Sequence, residues 1–381
     1  MDKPRCVLIS GAGVAGLTAA LWLGRGGVQV TVVEKARDRR LGGYVVALAH
    51  QAHRDAESLG IMPAVRARGA GITRSRYLNA SGRVLLKLEY ERLFKGIDII
   101  QITRDDLVEA LYESAQHVAD IRFEETIESL NQDTSGVDVT FASGDHGRYD
   151  VVIGADGQNS HTRDLAFSSD DVDRLHLGLM CAAFRSPNVL RLENMFEKHL
   201  ERQRYMVAHS MRQDDMGVIF IWQRDNPDVP PPSKRATVLR DAFRNSSVAA
   251  AKALDHCPED GNFYMDPAMM ITMNKWKRGR IGLIGDAAHT LTLFSGRGAA
   301  AAFADAGYLA RALIDHPTDR AFDMFEAERL SHLHSIQVAT KGAVKWYVPR
   351  TPVRHFIRDS AMAVLPNRFF EAYFQRKYST V

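Results

Sequence analysis

The chain has 381 residues, of which 45% are hydrophobic and 25% charged, so it is globular and long enough for two domains. Its formal net charge of +3 is too small to indicate a nucleic-acid or membrane surface. Three widely spaced cysteines argue against a disulfide framework and a cysteine-based metal site. No apolar run reaches the roughly 20 residues that cross a bilayer. We therefore expect a cytoplasmic protein without a membrane span, nucleic-acid partner or metal.

The first predicted elements surround a glycine-rich turn. A strand at Cys6 to Ser10 leads into GAGVAG, a helix that ends at Gly26 and Gly27, and a second strand that ends in Glu34. In this setting Gly11 permits a tight turn, Gly13 the approach of a pyrophosphate and Gly16 close helix packing. The second strand argues against a signal peptide, which the apolar N-terminus otherwise resembles. The pattern predicts a dinucleotide site, with Glu34 accepting hydrogen bonds from a ribose.

A hairpin and a capped helix follow. Residues 76–88 read as two strands with Ser81-Gly82 at the turn. In ITRDDLVEAL, Thr103 caps a helix that begins at Arg104, and two aspartates suit its positive end. Arg104 is interpreted either as a cofactor contact or as a solvated helix charge.

A second strand and turn, YDVVIGADGQNSHTR, spans residues 149–163 and by itself is compatible with an ordinary Asp-Gly turn. The stretches RYMVAHSM and MGVIFIWQR then predict a hairpin across the turn RQDD. DNPDVPPPSKR predicts a surface loop or mobile lid, and KRATVLRDAFRN a helix.

The third glycine-containing segment is GRIGLIGDAAHTLTLFSGRG. A strand at Ile281 to Ile284 precedes Asp286, and Gly296 and Gly298 permit a tight turn into a helix of residues 299–313. Such a helix start, with free N–H groups, is suited to an anion. Residues 321–381 are expected to be helical.

Together the three segments resemble the fingerprints of group A flavin-dependent aromatic monooxygenases, which have the para-hydroxybenzoate hydroxylase-like fold. The likeness is to the compact branch that contains tetracycline-inactivating and polyketide-tailoring enzymes. It implies an α/β fold in which a Rossmann-like FAD-binding domain is interleaved with a β-sheet substrate domain, plus a C-terminal bridging helix. The implied FAD-binding parts are residues 1–72, 101–176 and 276–330, the substrate parts 73–100 and 177–275, and the C-terminal segment 331–381.

The resemblance also implies the activity. An FAD-dependent oxidoreductase of this family takes electrons from transiently bound NADPH or NADH. It then hydroxylates an aromatic or polyketide-like molecule with O2 through a flavin C4a-hydroperoxide. Such an enzyme needs no protein nucleophile, because the cofactor carries the difficult chemistry. We expect a monomer or weak dimer.

The resemblance implies site residues as well. No side chain is assigned as catalytic with certainty, but Arg297 and Gly298 are expected near the flavin ring. Cofactor contacts are expected from Gly11, Gly13, Ala15, Gly16, Glu34, Lys35, Gly43, Arg104, Asp156, Gly285, Asp286, Gly296, Gly298 and Ala299. Asp156 and its loop would serve both FAD and NAD(P)H. Substrate contacts are expected from His209, Met211, Phe220, Trp222, Leu293 and Phe294, although aromatic and methionine side chains of a sheet are more often core.

Three positions depart from the family pattern: Leu293 replaces a proline, Ala300 an asparagine and Ala49 an arginine. They keep open a dehydrogenase or reductase that inserts no oxygen, and a non-catalytic flavin- or ligand-binding protein. Arg297 either favours an anionic reduced flavin or lies in solvent. His289 is interpreted as a packing residue rather than an acid or base.

Overall fold

A computed structural model describes residues 2–37 and 44–379 of the chain, with side chains up to Arg376. Gly43, one of the expected cofactor contacts, lies outside the described residues.

The described strands, in chain order, are β1 (Cys6–Ser10), β2 (Gln29–Glu34), β3 (Val45–Ala49), β4 (Arg74–Asn79), β5 (Val84–Glu89), β6 (Ile99–Thr103), β7 (Asp120–Phe123), β8 (Ile127–Gln132), β9 (Val137–Phe141), β10 (His146–Tyr149), β11 (Val151–Gly154), β12 (Val172–Pro187), β13 (Met195–Glu201), β14 (Arg204–Ser210), β15 (Asp215–Gln223), β16 (Tyr264–Met273), β17 (Lys277–Arg278) and β18 (Ile281–Leu283).

The described α-helices are α1 (Val14–Arg25), α2 (Gln51–Ser58), α3 (Met62–Ala67), α4 (Tyr90–Leu93), α5 (Arg104–Ala115), α6 (His161–Ala166), α7 (Pro232–Ala242), α8 (Val248–Leu254), α9 (Gly298–Asp315), α10 (Thr318–Tyr347), α11 (Pro352–Val364) and α12 (Asn367–Ser379).

A six-stranded sheet, ordered β17-β18-β11-β1-β2-β7, forms the centre of the nucleotide-binding half. β1 pairs in parallel with β2 on one side and β11 on the other, and β11 pairs in parallel with β18. The central strands β1, β11 and β18 are almost continuously apolar and buried, as expected for strands in the middle of a parallel sheet that is covered on both faces. The three glycine-containing segments follow β1, β11 and β18, so they meet at one edge of the sheet. Ligands bind at this edge in open α/β folds.

A seven-stranded sheet, ordered β16-β12-β15-β14-β13-β4-β5, forms the second layer. Both predicted hairpins are confirmed within it: β4 pairs antiparallel with β5, and β14 with β15. One face packs against α7 and α8 in an apolar cluster that includes Leu239 and Ala250. The other face turns towards the cavity described below. The chain passes between the two sheets more than once, as the fold class requires.

The C-terminal segment is helical as expected and comprises three helices, of which α10 connects the two layers. α10 packs along α9, α11 packs on β5, and α12 packs on α4 and β5. The nucleotide-binding half and the substrate sheet are therefore joined by the last part of the chain as well as by the crossover strands.

In the described part of the chain, no helix combines the length and the apolar character needed to span a membrane.

Candidate active site

The glycines of the first turn have distinct structural roles. Gly11 has φ +108°, and a Cβ there would lie 2.5 Å from the carbonyl oxygen of Ala155. A Cβ on Gly16 would lie 1.9 Å from the carbonyl oxygen of Gly11, so these two positions hold strand, turn and helix together. A Cβ on Gly13 would meet only one atom within 4 Å, an Arg104 guanidinium nitrogen at 3.8 Å. The open side of the turn therefore lies at Gly13, beside a positive charge.

Glu34 fixes the turn through its carboxylate. It accepts hydrogen bonds from the N–H of Ala12 at 3.0 Å and from the N–H of Ala36 at 2.9 Å. A carboxylate has about four acceptor positions, so capacity remains for a diol. Lys35 is exposed and lies outside the cavity lining. Ala15 lines the cavity. Gly285 is outside the lining and packs against Ala15, whose Cβ would be 3.1 Å from a Cβ on Gly285.

Arg104 and Asp286 place opposite charges at the mouth of the turn. Thr103 caps α5 by accepting a hydrogen bond from the N–H of Asp106 at 3.1 Å, as the sequence predicts. The pKa of Arg104 is raised, mainly by Tyr44 and against the effect of burial. Asp286 is exposed only into the cavity; desolvation by the surrounding protein raises its pKa, while His289 and Arg104 act in the opposite direction. The pair offers a cation for phosphates and an acceptor for hydroxyl groups.

Asp156 is turned into its own loop rather than into the cavity. One carboxylate oxygen accepts a hydrogen bond from the Ser160 hydroxyl, and the other accepts from the N–H and the hydroxyl of Thr162, both at 2.9 Å. The backbone around it lines the cavity through Ala155, Gly157 and Gln158. The Asp156 carboxylate therefore orders this loop and lies outside the cavity lining, where a direct cofactor contact was expected.

Arg163 connects the second and third glycine-containing segments. It is fully buried, and its guanidinium donates to the carbonyl oxygen of Gln158 at 2.9 Å and that of Ala287 at 3.1 Å. Burial is the main cause that lowers the pKa of Arg163. The sequence shows this arginine in SHTR but gives no sign that it reaches residue 287.

Replacing Arg163 with methionine is expected to lower the free energy of unfolding by about 2–3 kcal/mol, because two buried carbonyl groups lose charged donors. Urea denaturation of the FAD-loaded protein measures the change. Arg174→Met is the matched control, since Arg174 forms a half-exposed pair with Asp164 and such pairs contribute about 0–1 kcal/mol. Equal losses in the two variants would contradict the connecting role of Arg163.

The loop before α9 leads into a helix start of the kind suited to an anion. Thr292 and Gly296 have φ +60° and +66°, and the strain expected of a threonine there is typical of functional loops. A Cβ on Gly298 would meet no atom within 4 Å, and Gly298 and Ala299 both line the cavity. Their N–H groups belong to the first turn of α9, where no helical carbonyl accepts them.

The structure excludes one of the two interpretations of Arg297 made from the sequence, a position in solvent. Its side chain is 8% exposed, so it does not lie in solvent, and it is outside the cavity lining. Its charge is one of the causes that lower the pKa of His332 on α10, after burial and Arg329. Ala300 is also buried and outside the lining, whereas Leu293 and Phe294 line the cavity.

His289 belongs to a buried ion cluster away from the cavity. Its Nε2 lies 2.6 Å from a carboxylate oxygen of Asp305, whose other oxygen accepts from Arg329 Nε at 2.8 Å. Its ring also packs against Trp276 at 5.2 Å. These contacts favour the packing role that the sequence suggested.

One cavity of about 390 Å³ connects the glycine turn to the seven-stranded sheet. Its far wall is mostly apolar or aromatic and comprises Tyr77, Leu88, Tyr90, Leu93, Phe94, Phe196, Tyr205, Val207, Ile219, Ile221, Phe294, Tyr347 and Phe374. Cys181 also lines it, and burial followed by Asp266 raises the pKa of this thiol to about 12, so it remains protonated. No group of three or more His, Cys, Asp or Glu side chains within the described ranges is arranged for a metal ion.

None of the four substrate contacts expected on β14, on β15 and in the turn between them lines the cavity. Phe220 and Trp222 lie on the opposite face of the sheet and pack against Phe243, with ring centroids 4.8 and 6.2 Å away. The neighbouring residues Ile219 and Ile221 line the cavity instead.

His209 and Met211 also lie outside the cavity lining. His209 is on the cavity face but is fully buried behind Phe196, with the ring centroids 5.5 Å apart. Met211 follows the end of β14, and its N–H donates to the carbonyl oxygen of Asp215 in the turn.

An aromatic stack lines one side of the cavity and was not predicted. The ring of Tyr347, the last residue of α10, stacks on Phe294 at 6.0 Å and on Tyr205 at 5.5 Å. Phe374 from α12 completes this side. The signal in the sequence was the aromatic-rich C-terminal segment, but its position against the sheet could not be inferred from spacing.

Comparison with known proteins shows a consistent set of relatives. Residues 5–337 match the family described as FAD binding domain. A flavin-dependent monooxygenase of Legionella longbeachae serogroup 1 (strain NSW150) is 32% identical over 335 residues, which cover 86% of this chain and 85% of the relative. Another flavin-dependent monooxygenase, from an unknown prokaryotic organism, is 33% identical over 315 residues and 81% of each chain.

Solved structures give the same result at the level of the fold. The crystal structure of tetracycline destructase Tet(55) has a TM-score of 0.84 and 27% identity, and the match covers 100% of this chain and 98% of that one. Klebsiella pneumoniae HpxO, crystallised with FAD and uric acid, has a TM-score of 0.85 over 99% of this chain and 97% of that chain. At 17% identity this second match shows the fold alone.

Proposed function

Since the chain belongs to the flavin-dependent monooxygenases with an FAD binding domain, we propose that it uses NAD(P)H and O2 to hydroxylate an aromatic or polyketide-like small molecule. The observation that carries the proposal is the single cavity that includes Gly13, Gly298 and the aromatic wall. A dinucleotide at the glycine turn and a flat substrate against the sheet would share this space. The enzyme is an FAD-dependent oxidoreductase, and its substrate and reductant are what we propose.

The residues present fit FAD. Gly13 and Gly298 leave open space where a side chain would stand, and the Arg104 guanidinium lies beside Gly13 for the phosphates. Thr292 lines the cavity, and its buried hydroxyl has no partner among the described residues. A buried hydroxyl without a partner costs free energy unless a ligand satisfies it.

When bound, FAD supplies the redox chemistry, accepting a hydride from NAD(P)H and delivering one oxygen atom of O2. The chain's own residues would hold and shield it. The N–H groups of Gly298 and Ala299 would stabilise negative charge at the flavin edge. The stack of Phe294, Tyr347 and Tyr205 would exclude water and provide ring faces for a planar substrate.

The proposal is tested by oxygen incorporation. The FAD-loaded protein is supplied with NADPH or NADH, heavy-isotope O2 and tetracycline, which is chosen because of the similarity to tetracycline destructase Tet(55). We expect NAD(P)H oxidation that depends on the substrate and a product that carries the label. A panel of hydroxynaphthoates extends the test to smaller aromatic compounds.

A second candidate function is a dehydrogenase or reductase without oxygen insertion. Leu293 favours it, because this residue replaces the family's proline and lines the cavity with 37% of its surface exposed. Substrate-stimulated NAD(P)H oxidation without label in any product would support this alternative. A flavin that neither nicotinamide cofactor reduces would instead indicate a binding protein.

A further inference from the structure

The charges of the cavity are few and unevenly placed. Among the described lining residues, the cations are Arg104 and Lys198 and the carboxylate is Asp286. Arg104 lies beside Gly13, and it interacts electrostatically with Asp286. Lys198 is therefore the one charged lining residue on the substrate sheet within the described ranges.

Lys198 is held by aromatic side chains. It lies on β13, where its register partners are Tyr77 on β4 and Val207 on β14. Its ammonium donates a hydrogen bond to the Tyr77 hydroxyl at 3.0 Å. It also lies 4.6 Å from the Tyr77 ring centroid and 5.4 Å from that of Phe196. These contacts fix the position of the ammonium at the apolar wall.

Carboxylates near Lys198 in the sequence are directed elsewhere. Glu197 faces the other side of the sheet, where it accepts from Arg76 and from His199 Nε2 at 2.7 Å. No described carboxylate forms an ion pair with Lys198. An ammonium has three donors, and the Tyr77 hydroxyl accepts one of them.

We propose that Lys198 binds an anionic group of the substrate, a carboxylate, phenolate or enolate joined to aromatic rings. This inference rests on the proposed function, because it identifies the substrate class of the same cavity. Once a substrate displaces water, a hydrogen bond between ammonium and anion becomes stronger in the apolar surroundings. A neutral ring system would leave the ammonium desolvated without an anion, so the cavity should discriminate against it.

The experiment measures binding to the oxidised, FAD-loaded protein through changes in flavin absorbance. The probes are 2-naphthoate and 2-naphthamide, which have similar shape but differ in charge. We expect the unmodified protein to bind the acid about tenfold or more tightly than the amide, as charged hydrogen bonds generally allow. Lys198→Met should remove this preference, and Lys198→Arg should keep most of it.

Controls separate recognition from folding. Lys87→Met makes the same change at an exposed lysine of the neighbouring hairpin and should keep the preference. Lys198→Gln provides a second neutral variant if Lys198→Met loses FAD. A lysine that only supports Tyr77 would change stability or FAD content, but not the ratio of acid to amide affinity.

Each outcome decides the inference. Equal affinity for acid and amide in the unmodified protein, no binding of either probe, or an unchanged preference in both neutral variants would overturn it. The oxygen-label assay is independent of this readout. Labelled product without an anion preference would overturn the role of Lys198 alone, whereas a preference that depends on Lys198 without labelled product would overturn the monooxygenase proposal alone.

Discussion

Replacing Asp305 with alanine is expected to destabilise the protein by about 3–5 kcal/mol, the usual loss when one partner of a buried ion pair is removed. Asp305 is fully buried on α9 between His289 and Arg329, and the Arg329 side chain is only 13% exposed. Without the carboxylate, Arg329 would keep its charge in a largely desolvated position. Urea denaturation of the FAD-loaded protein at neutral pH measures the loss.

Asp323→Ala is the matched control for this substitution. Asp323 pairs with Lys277 but is 65% exposed, and exposed pairs contribute about 0–1 kcal/mol. If both variants lost the same free energy of unfolding, the cluster around Asp305 would not be an important source of stability.

The effect of Asp305 should also depend on pH. Burial alone would raise the pKa of this carboxyl, but His289 and Arg329 lower it below its ordinary value. A carboxyl with a lowered folded-state pKa stabilises the fold above its unfolded pKa, about 3.9, and loses this contribution as the pH falls through the folded-state pKa. The difference between the unmodified protein and Asp305→Ala should therefore be largest above about pH 5 and shrink below about pH 4. A difference that grew on acidification would contradict this assignment.

Replacing Gly13 with alanine is expected to weaken FAD binding without unfolding the protein. Gly13 has φ −86° and ψ −170°, extended backbone that alanine adopts freely. Its nearest neighbour for a Cβ is 3.8 Å away, so the protein itself has room for the methyl group. A bound pyrophosphate would not, and overpacking of about 1–3 kcal/mol corresponds to a loss of roughly 5- to 150-fold in affinity. Fluorescence titration of the apoprotein with FAD measures it.

Two other glycines provide the comparison for Gly13. Gly16→Ala should destabilise the apoprotein as well, because its Cβ would overlap the Gly11 carbonyl oxygen. Gly342 lies in α10, where a Cβ would meet no neighbour within 4 Å. Gly342→Ala should therefore weaken neither FAD binding nor folding. Normal FAD affinity in Gly13→Ala would mean that the phosphates do not approach this turn.

The sequence was most informative where structure is local. The turn at Gly11 to Gly16, the Thr103 cap and both hairpins depend on residues a few positions apart, and the structure has each of them. The meeting of the three glycine-containing segments was also predictable, because parallel strands bring their carboxyl ends to one edge.

Which face of the substrate sheet lines the cavity was not predictable from the alternation of residues along its strands. Ile219 and Ile221 face the cavity, whereas Phe220 and Trp222 face α7 and α8. Both sets are apolar because both faces of the sheet are covered, so the usual difference between a polar and an apolar face is missing. The larger aromatic residues suggested the wrong face.

Contacts between distant segments were equally hidden. Tyr347 meets Phe294 and Tyr205 through the path of α10, and Arg163 reaches the carbonyl of Ala287 across the sheet edge. No spacing in the sequence encodes these distances. The inward turn of Asp156 depends on Ser160 and Thr162, which a capping analysis of that loop would have indicated.

The position of β1 between β2 and β11 has a consequence for biosynthesis. Val7 pairs with Val30 early in the chain but with Val151 on its other side, and the strand after that ends at Leu283. A nascent chain on the ribosome therefore lacks β11 and β18, and the glycine-containing segments that follow them, until most of the chain has been made. FAD would be taken up late, and the apolar first strand would wait with one edge unpaired. An unpaired apolar strand edge is prone to aggregation until its partner strand has been made.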